Sequence, residues 1–126
     1  MYEIKYSFGY DKVCLVPRIK SNLESRDNAD TSVSFANIKL TTPLIASPMP
    51  DVCESDMAIE LYKLGGFGII HRFISKEEQI KSYKKVLNND CYAASSIGIN
   101  GDWQERYEDL KQAGCNIFCI DVANGF

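Results

Sequence analysis

The chain has no basic excess, no long apolar run and almost no histidine. Fourteen Lys and Arg face seventeen Asp and Glu, a net charge of −3 over 126 residues. That balance excludes the electrostatic footprint of a nucleic-acid binder, and the basic groups at 18–20 and 84–85 read as solvated surface. No apolar run approaches the length that spans a bilayer, and the opening Met1-Tyr2-Glu3-Ile4-Lys5-Tyr6 lacks the apolar core of a signal peptide. The expectation is a cytoplasmic protein with neither membrane nor nucleic acid as partner. Cys-x-x-Cys is absent too. The five cysteines, Cys14, Cys53, Cys91, Cys115 and Cys119, are odd in number. They read as reduced thiols, most of them small core hydrophobes. Cys115 and Cys119 fall four apart on an expected strand, sharing a face but too distant to bond. No metal site is assigned.

What is present is a series of strand and helix patterns. Residues 1–42 read as an irregular segment. Within it, Thr31-Ser32-Val33-Ser34-Phe35, Ala36-Asn37 and Ile38-Lys39-Leu40-Thr41 alternate apolar and polar residues as a small hairpin does, with a turn that lacks Gly. From Pro43 the texture changes. Pro43-Leu44-Ile45-Ala46-Ser47 is a short buried-type strand. Residues 54–64 carry Met57, Ala58, Leu61 and Leu64 at helical spacing, and Gly65-Gly66 stop them. Phe67-Gly68-Ile69-Ile70 is a second strand. Ser75-Lys76-Glu77-Glu78 is a capping box that opens a helix with Ile80, Tyr83, Val86 and Leu87 on one face. A third strand covers 92–97. Asp102-Trp103-Gln104-Glu105 repeats the cap-plus-acid pattern, and its helix groups Trp103, Tyr107 and Leu110. The fourth strand is the apolar run that begins at Cys115 and ends at Asp121.

Residues 43–126 are therefore strand–helix–strand–helix–strand–helix–strand, an α/β pattern whose strands pair in parallel with helices as crossovers. Polar residues gather after the strands: Ser47-Pro48-Met49-Pro50-Asp51, His71-Arg72, Gly98-Ile99-Asn100-Gly101-Asp102 and Asp121-Val122-Ala123-Asn124-Gly125. In parallel folds these ends share one side, where ligands bind, so Ser47, His71, Arg72, Asp121 and Asn124 converge on one rim. Two closures stay open. A doubly wound sheet is weakened because no Gly-x-Gly-x-x-Gly follows the first strand, and Gly65-Gly66-Phe67-Gly68 precedes a strand, the wrong side for cradling phosphate. An eight-stranded barrel typically needs about 250 residues, and four strands are half of one.

The residues also resemble a known family. Tyr10-Asp11-Lys12-Val13-Cys14-Leu15-Val16-Pro17, Ser25-Arg26 with Asp30-Thr31, and Ser47-Pro48-Met49 with Glu54 and Met57-Ala58 are similar to the N-terminal half of IMP dehydrogenases and GMP reductases. Leu64-Gly65-Gly66-Phe67-Gly68-Ile69-Ile70-His71-Arg72 and Asp121-Val122-Ala123-Asn124-Gly125 continue the likeness in order. The resemblance implies a (β/α)₈ barrel, a single catalytic domain of which this chain holds the first four strands and three helices, assembled as a homotetramer. It implies redox chemistry at the purine 2-position through a covalent cysteine intermediate with a nicotinamide cofactor. Ser47 and Met49 would contact the purine nucleotide. Asp121, Ala123, Asn124 and Gly125 would lie near the nicotinamide ribose, with His71 and Arg72 beside the cofactor.

Within that resemblance, the direct join across 85–91, with no inserted regulatory domain, favours the GMP reductase branch, as do Ala93-Ala94-Ser95-Ser96 and the Asp121–Gly125 motif. Ser47-Pro48-Met49 and the stretch from Leu64 to Arg72 look more like the dehydrogenase branch. Pro50-Asp51 departs from the family's usual Asp-Thr pair after the Met. The expected reaction is NADPH-dependent reduction of GMP to IMP. The alternatives are NAD-dependent oxidation of IMP and a non-catalytic nucleotide-binding half-barrel. No catalytic residue is expected among these 126, because none of the five cysteines stands at the family's catalytic position, and the chain alone is expected to be inactive.

Overall fold

The computed structural model describes residues 8–17, 19–20 and 22–124, which fall into two units, 1–30 and 31–126. The first unit holds two single 3₁₀ turns, Tyr10–Lys12 and Arg26–Asn28, and neither buries a residue. Ser25 caps the second by accepting from the Asp27 backbone N–H at 3.2 Å.

The second unit opens with the expected hairpin, β1 (Val33–Phe35) against β2 (Ile38–Leu40), antiparallel with Val33 opposite Leu40. Its turn works without glycine because Ala36 (φ 47°) and Asn37 (φ 64°) both adopt the left-handed conformation. Two such residues match the right-handed twist of the flanking strands.

The chain then runs β3 (Ile45–Ala46), α1 (Ser55–Lys63), β4 (Phe67–Ile70), α2 (Lys76–Leu87), β5 (Ala93–Ile97), α3 (Trp103–Gln112) and β6 (Phe118–Ile120). The four strands of this part form one sheet in the order β3-β4-β5-β6, every neighbour parallel. The order never reverses, so the described strands contain no switch point of the doubly wound kind. Each crossover carries one helix, and all four strand C-termini lie along one side.

Each sheet face has its own cover. On one face Ala46, Ile70 and Ala93 pack with Ala58, Ile59 and Val86 of α1 and α2. Further along, Ile97 and Phe118 pack with Tyr83, Tyr107 and Leu110 of α2 and α3. The opposite face presents Phe67, Ala94 and Ile117 to Phe35, Ile38 and Leu40 of the hairpin. Gly68 lets α1 approach β4: a Cβ there would stand 2.7 Å from the Ala58 Cβ and 3.0 Å from the Cys53 Sγ.

Two expectations need correction. Only α2 has a working capping box, with Ser75 Oγ accepting from the Glu78 N–H and Glu78 Oε2 from the Ser75 N–H, both at 3.2 Å. Asp102 occupies the N-cap of α3 but makes no side-chain cap bond. Its carboxylate instead takes two charge-assisted bonds from Arg106, one turn on, at 3.3 and 3.1 Å. The other acid of that pattern, Glu105, pairs with Lys76. The last strand is also shorter than the pattern suggested. Gly114 (φ 100°) ends α3, and the Cys115 N–H turns back to the Leu110 carbonyl at 2.9 Å, so Cys115 lies outside the strand that holds Cys119.

The inward face of α2 packs as expected and carries one polar residue more. Beside Tyr83 and Val86 it buries Gln79, which is fully enclosed. Its Nε2 donates to the Ser96 carbonyl at 2.8 Å, with the Ile70 carbonyl at 3.5 Å, and its Oε1 accepts from Arg106 Nη1 at 2.8 Å. Arg106 Nη1 also reaches the Ile74 carbonyl at 3.2 Å. One carboxamide thus ties β5 to α3. Gln79→Leu keeps the volume but strands a carbonyl and weakens the support of a guanidinium, which costs about 2–3 kcal/mol. Urea denaturation should show the lower midpoint, and an unchanged midpoint would mean that the bridge contributes nothing.

Candidate functional site

At the C-terminal side of the sheet, four strand ends deliver short polar segments. After β3 the chain turns tightly. The Met49 N–H bonds the Ser47 carbonyl at 2.8 Å, and the Met49 carbonyl accepts from Val52 and Cys53, both at 3.1 Å. Asp51 sits at φ 61°, the left-handed position at which aspartate is tolerated. Pro50-Asp51 therefore forms a compact loop. It leaves Ser47 exposed and Met49 54% exposed at the rim.

The rim's strongest contact joins β4 to β6. Arg72 Nε donates to Asp121 Oδ2 at 3.1 Å, and Nη2 donates to the Asp121 carbonyl at 3.0 Å. Between those strands lies the end of β5, where Gly98 follows Ile97. A Cβ on Gly98 would meet the Arg72 guanidinium at 3.4 Å, so the arginine crosses β5 over a residue without a side chain. The guanidinium also stands over the Phe73 ring, 4.7 Å from its centroid. Both charged side chains are only partly exposed. Among the described residues, the Oδ1 oxygen of Asp121 accepts no hydrogen bond. Ala123 and Asn124 follow, exposed, and Gly125 lies outside the described residues.

His71 behaves differently from its neighbour. It is 1% exposed, and its Nδ1 accepts from the Phe73 backbone N–H at 3.2 Å. That bond places the proton of the neutral ring on Nε2. Nε2 has no hydrogen-bond partner, and the nearest carboxylate oxygen, Oε1 of Glu54, is 3.7 Å away, too far for a bond. Sequence spacing brings His71 to the rim with Arg72, but β4 ends at Ile70, and in the bend that follows His71 is enclosed while Arg72 reaches across to Asp121. The hydroxyls of Ser95 and Ser96 are likewise buried without a partner. Sequence reasoning gave neither Gly98 nor Gln79 a part in the site. A glycine directly after an apolar strand was the available signal for the first. The second had none, because a glutamine on a helix reads as surface.

A separate groove lies elsewhere. It runs along α2, has a volume of about 800 Å³, and is lined by Glu54, Glu77, Lys81, Lys84 and Asn88 among others. None of Ser47, His71, Arg72 or Asp121 lines it. It is an open trough between helices, and the convergent polar groups are at the strand ends instead.

The cysteines divide by burial. Cys53, Cys91 and Cys115 are buried, Cys119 is half-buried and Cys14 is exposed. Burial pushes the Cys53 and Cys115 thiols up. Cys119 is pushed up by burial and then by the negative charge of Asp121. A raised thiol is a poor nucleophile at neutral pH. In the native protein a disulfide reagent should titrate Cys14 fast, Cys119 slowly, and the other three only after denaturation; prompt modification of Cys53, Cys91 or Cys115 would contradict this packing.

Among the described residues no helix is long and apolar enough to cross a membrane, and no cluster of three His, Cys, Asp or Glu could hold a metal ion. A model of the IMP dehydrogenase / GMP reductase domain matches residues 7–126. A GMP reductase of Leishmania donovani is 44% identical over 123 residues, 93% of this chain and 25% of that protein. An inosine-5'-monophosphate dehydrogenase of Methanocaldococcus jannaschii is 40% identical over 90 residues, 71% of this chain and 18% of that protein. A GMP reductase of Streptococcus pneumoniae is 30% identical over 118 residues, 94% of this chain and 35% of that protein. The chain thus spans about a quarter of the length of the curated relatives it matches. A domain match over nearly the whole chain, joined to identities of this size, establishes the kinship: the chain belongs to the IMP dehydrogenase / GMP reductase family.

Proposed function

We propose that this chain is the N-terminal half of a (β/α)₈ barrel that reduces GMP to IMP, with NADPH as the nicotinamide cofactor. The parallel, never-reversing order β3-β4-β5-β6 supports the barrel, since a barrel adds strands in one direction. The observation that carries the choice of reductase is the link between α2 and β5. Only residues 88–92 join them, and Cys91 within that link is buried. No regulatory domain interrupts the chain there. The Leishmania donovani GMP reductase, similar along most of this chain, points the same way.

In this reading Ser47 and Met49, exposed on the loop after β3, contact the purine nucleotide. Asp121 faces the cofactor. Its Oδ1 is free of bonds among the described residues, as a carboxylate that accepts ribose hydroxyls must be. The residues present therefore fit a dinucleotide. When bound, the cofactor supplies hydride to purine C2. GMP, NADPH and two protons then give IMP, ammonium and NADP⁺. The cysteine that attacks C2 lies beyond residue 126, in keeping with the raised thiols of Cys53, Cys115 and Cys119.

The second reading, an IMP dehydrogenase that uses NAD, draws on the likeness to the Methanocaldococcus jannaschii dehydrogenase. Steady-state assays on the intact protein separate the two. GMP with NADPH should turn over at a rate that IMP with NAD does not approach. Turnover of IMP with NAD alone would replace the reductase reading with the dehydrogenase one.

A further inference from the structure

We propose that Arg72 is a positioning residue, which holds the Asp121 carboxylate in one orientation at the rim and does not itself bind an anionic group of the cofactor. The inference rests on the reading of Asp121 as a ribose acceptor and adds to it a reason why that acceptor is preorganised.

The geometry shows a guanidinium already committed. Arg72 grips a residue 49 positions away at two points, its side chain through Nε at 3.1 Å and its backbone carbonyl through Nη2 at 3.0 Å. The flat face of the group rests over Phe73, and Nη1 passes the end of β5 at Gly98. Two of its five N–H donors, Nε among them, are spent on Asp121, so that residue sets the orientation of the fork. Asp121, in contrast, begins an irregular segment with exposed Ala123 and Asn124 behind it. An aspartate in such a place rotates freely unless something holds it. Fixing Oδ2 and the carbonyl together removes that freedom and leaves Oδ1 to accept from a diol. A group fixed before binding costs no ordering when the ligand arrives. Lysine cannot substitute fully, because one ammonium does not span two acceptors with a rigid fork. Gly98 borders the guanidinium as well: a Cβ alone would stand in ordinary contact at 3.4 Å, and a branched side chain would crowd it. Three residues on three adjacent strand ends (Arg72 after β4, Gly98 after β5, Asp121 after β6) thus act as one part.

The test measures NADPH and NAD dissociation constants on the intact protein by calorimetry, together with KM and kcat. Arg72→Ala and Asp121→Ala should each weaken cofactor binding by about 10- to 100-fold, as expected for losing a hydrogen bond to a charged group. The double variant should bind no more weakly than Asp121→Ala alone. Arg72→Lys should recover part of the loss. Gly98→Val should reproduce it with both charges present, and the KM for purine nucleotide should move by less than about twofold. If Arg72→Ala adds its full loss on top of Asp121→Ala, the arginine contacts the cofactor directly and the proposal is overturned. Full affinity in Arg72→Ala beside a weakened Asp121→Ala overturns positioning but leaves the ribose reading intact. An unaffected Asp121→Ala overturns the ribose reading itself. Should Arg72→Ala fail to fold, Arg72→Lys and Gly98→Val decide the matter, since both keep the arginine's charge: cofactor affinity equal to that of the parent protein in both would overturn positioning.

Discussion

The carboxamide of Gln79 is the interaction on which the site's framework depends. Buried among apolar neighbours, it satisfies a strand carbonyl with its nitrogen and a guanidinium with its oxygen. Arg106 extends the chain to the Ile74 carbonyl just before α2 and to Asp102 at the start of α3. The beginnings of two helices and the end of β5 are therefore held by one polar relay. A polar network in a core stabilises only when every member is paired, and this one is paired along its length. The loops that feed the strand-end rim leave from the same elements, so the rim inherits their rigidity.

The rim itself follows from parallel pairing. Because each strand returns through a helix, all strand ends face one way, and residues far apart in sequence become neighbours. The Arg72–Asp121 bridge crosses an entire strand to use this. It is partly exposed, so as a surface pair it adds little to stability. Its value is geometric, because a forked donor defines where a carboxylate points. The open trough along α2 has no comparable convergence of groups.

Much of this was legible in the sequence because the signals were local. The βα alternation, the Ser75–Glu78 box and the hairpin all depend on residues within a few positions of each other. That Ser47, Arg72 and Asp121 follow strands on one side of the sheet came from topology alone, and of the three only Arg72 and Asp121 are in contact. What escaped depends on partners distant in sequence. Asp102 reads as a cap until Arg106 is seen to take its carboxylate. Gln79 reads as helix surface until the Ser96 carbonyl is found against it. His71 and Arg72 are adjacent letters, yet one is enclosed and the other reaches the rim. The bend after β4, which adjacent letters do not reveal, separates them. Cys115 was drawn into the last strand by an apolar run, whereas the turn at Gly114 uses its backbone to close α3.

The central claim is that ligands meet this protein at the strand ends. Hydrogen exchange on the intact protein, with and without GMP and NADPH, tests it most directly. Slowed exchange is expected in the loop after β3, around Met49 and Val52, and at Val122 to Asn124 after β6, with the amides of α2 from Lys81 to Asn88 unchanged. Protection confined to that stretch of α2, with the strand-end loops exchanging as before, would contradict the claim and move the site to the trough.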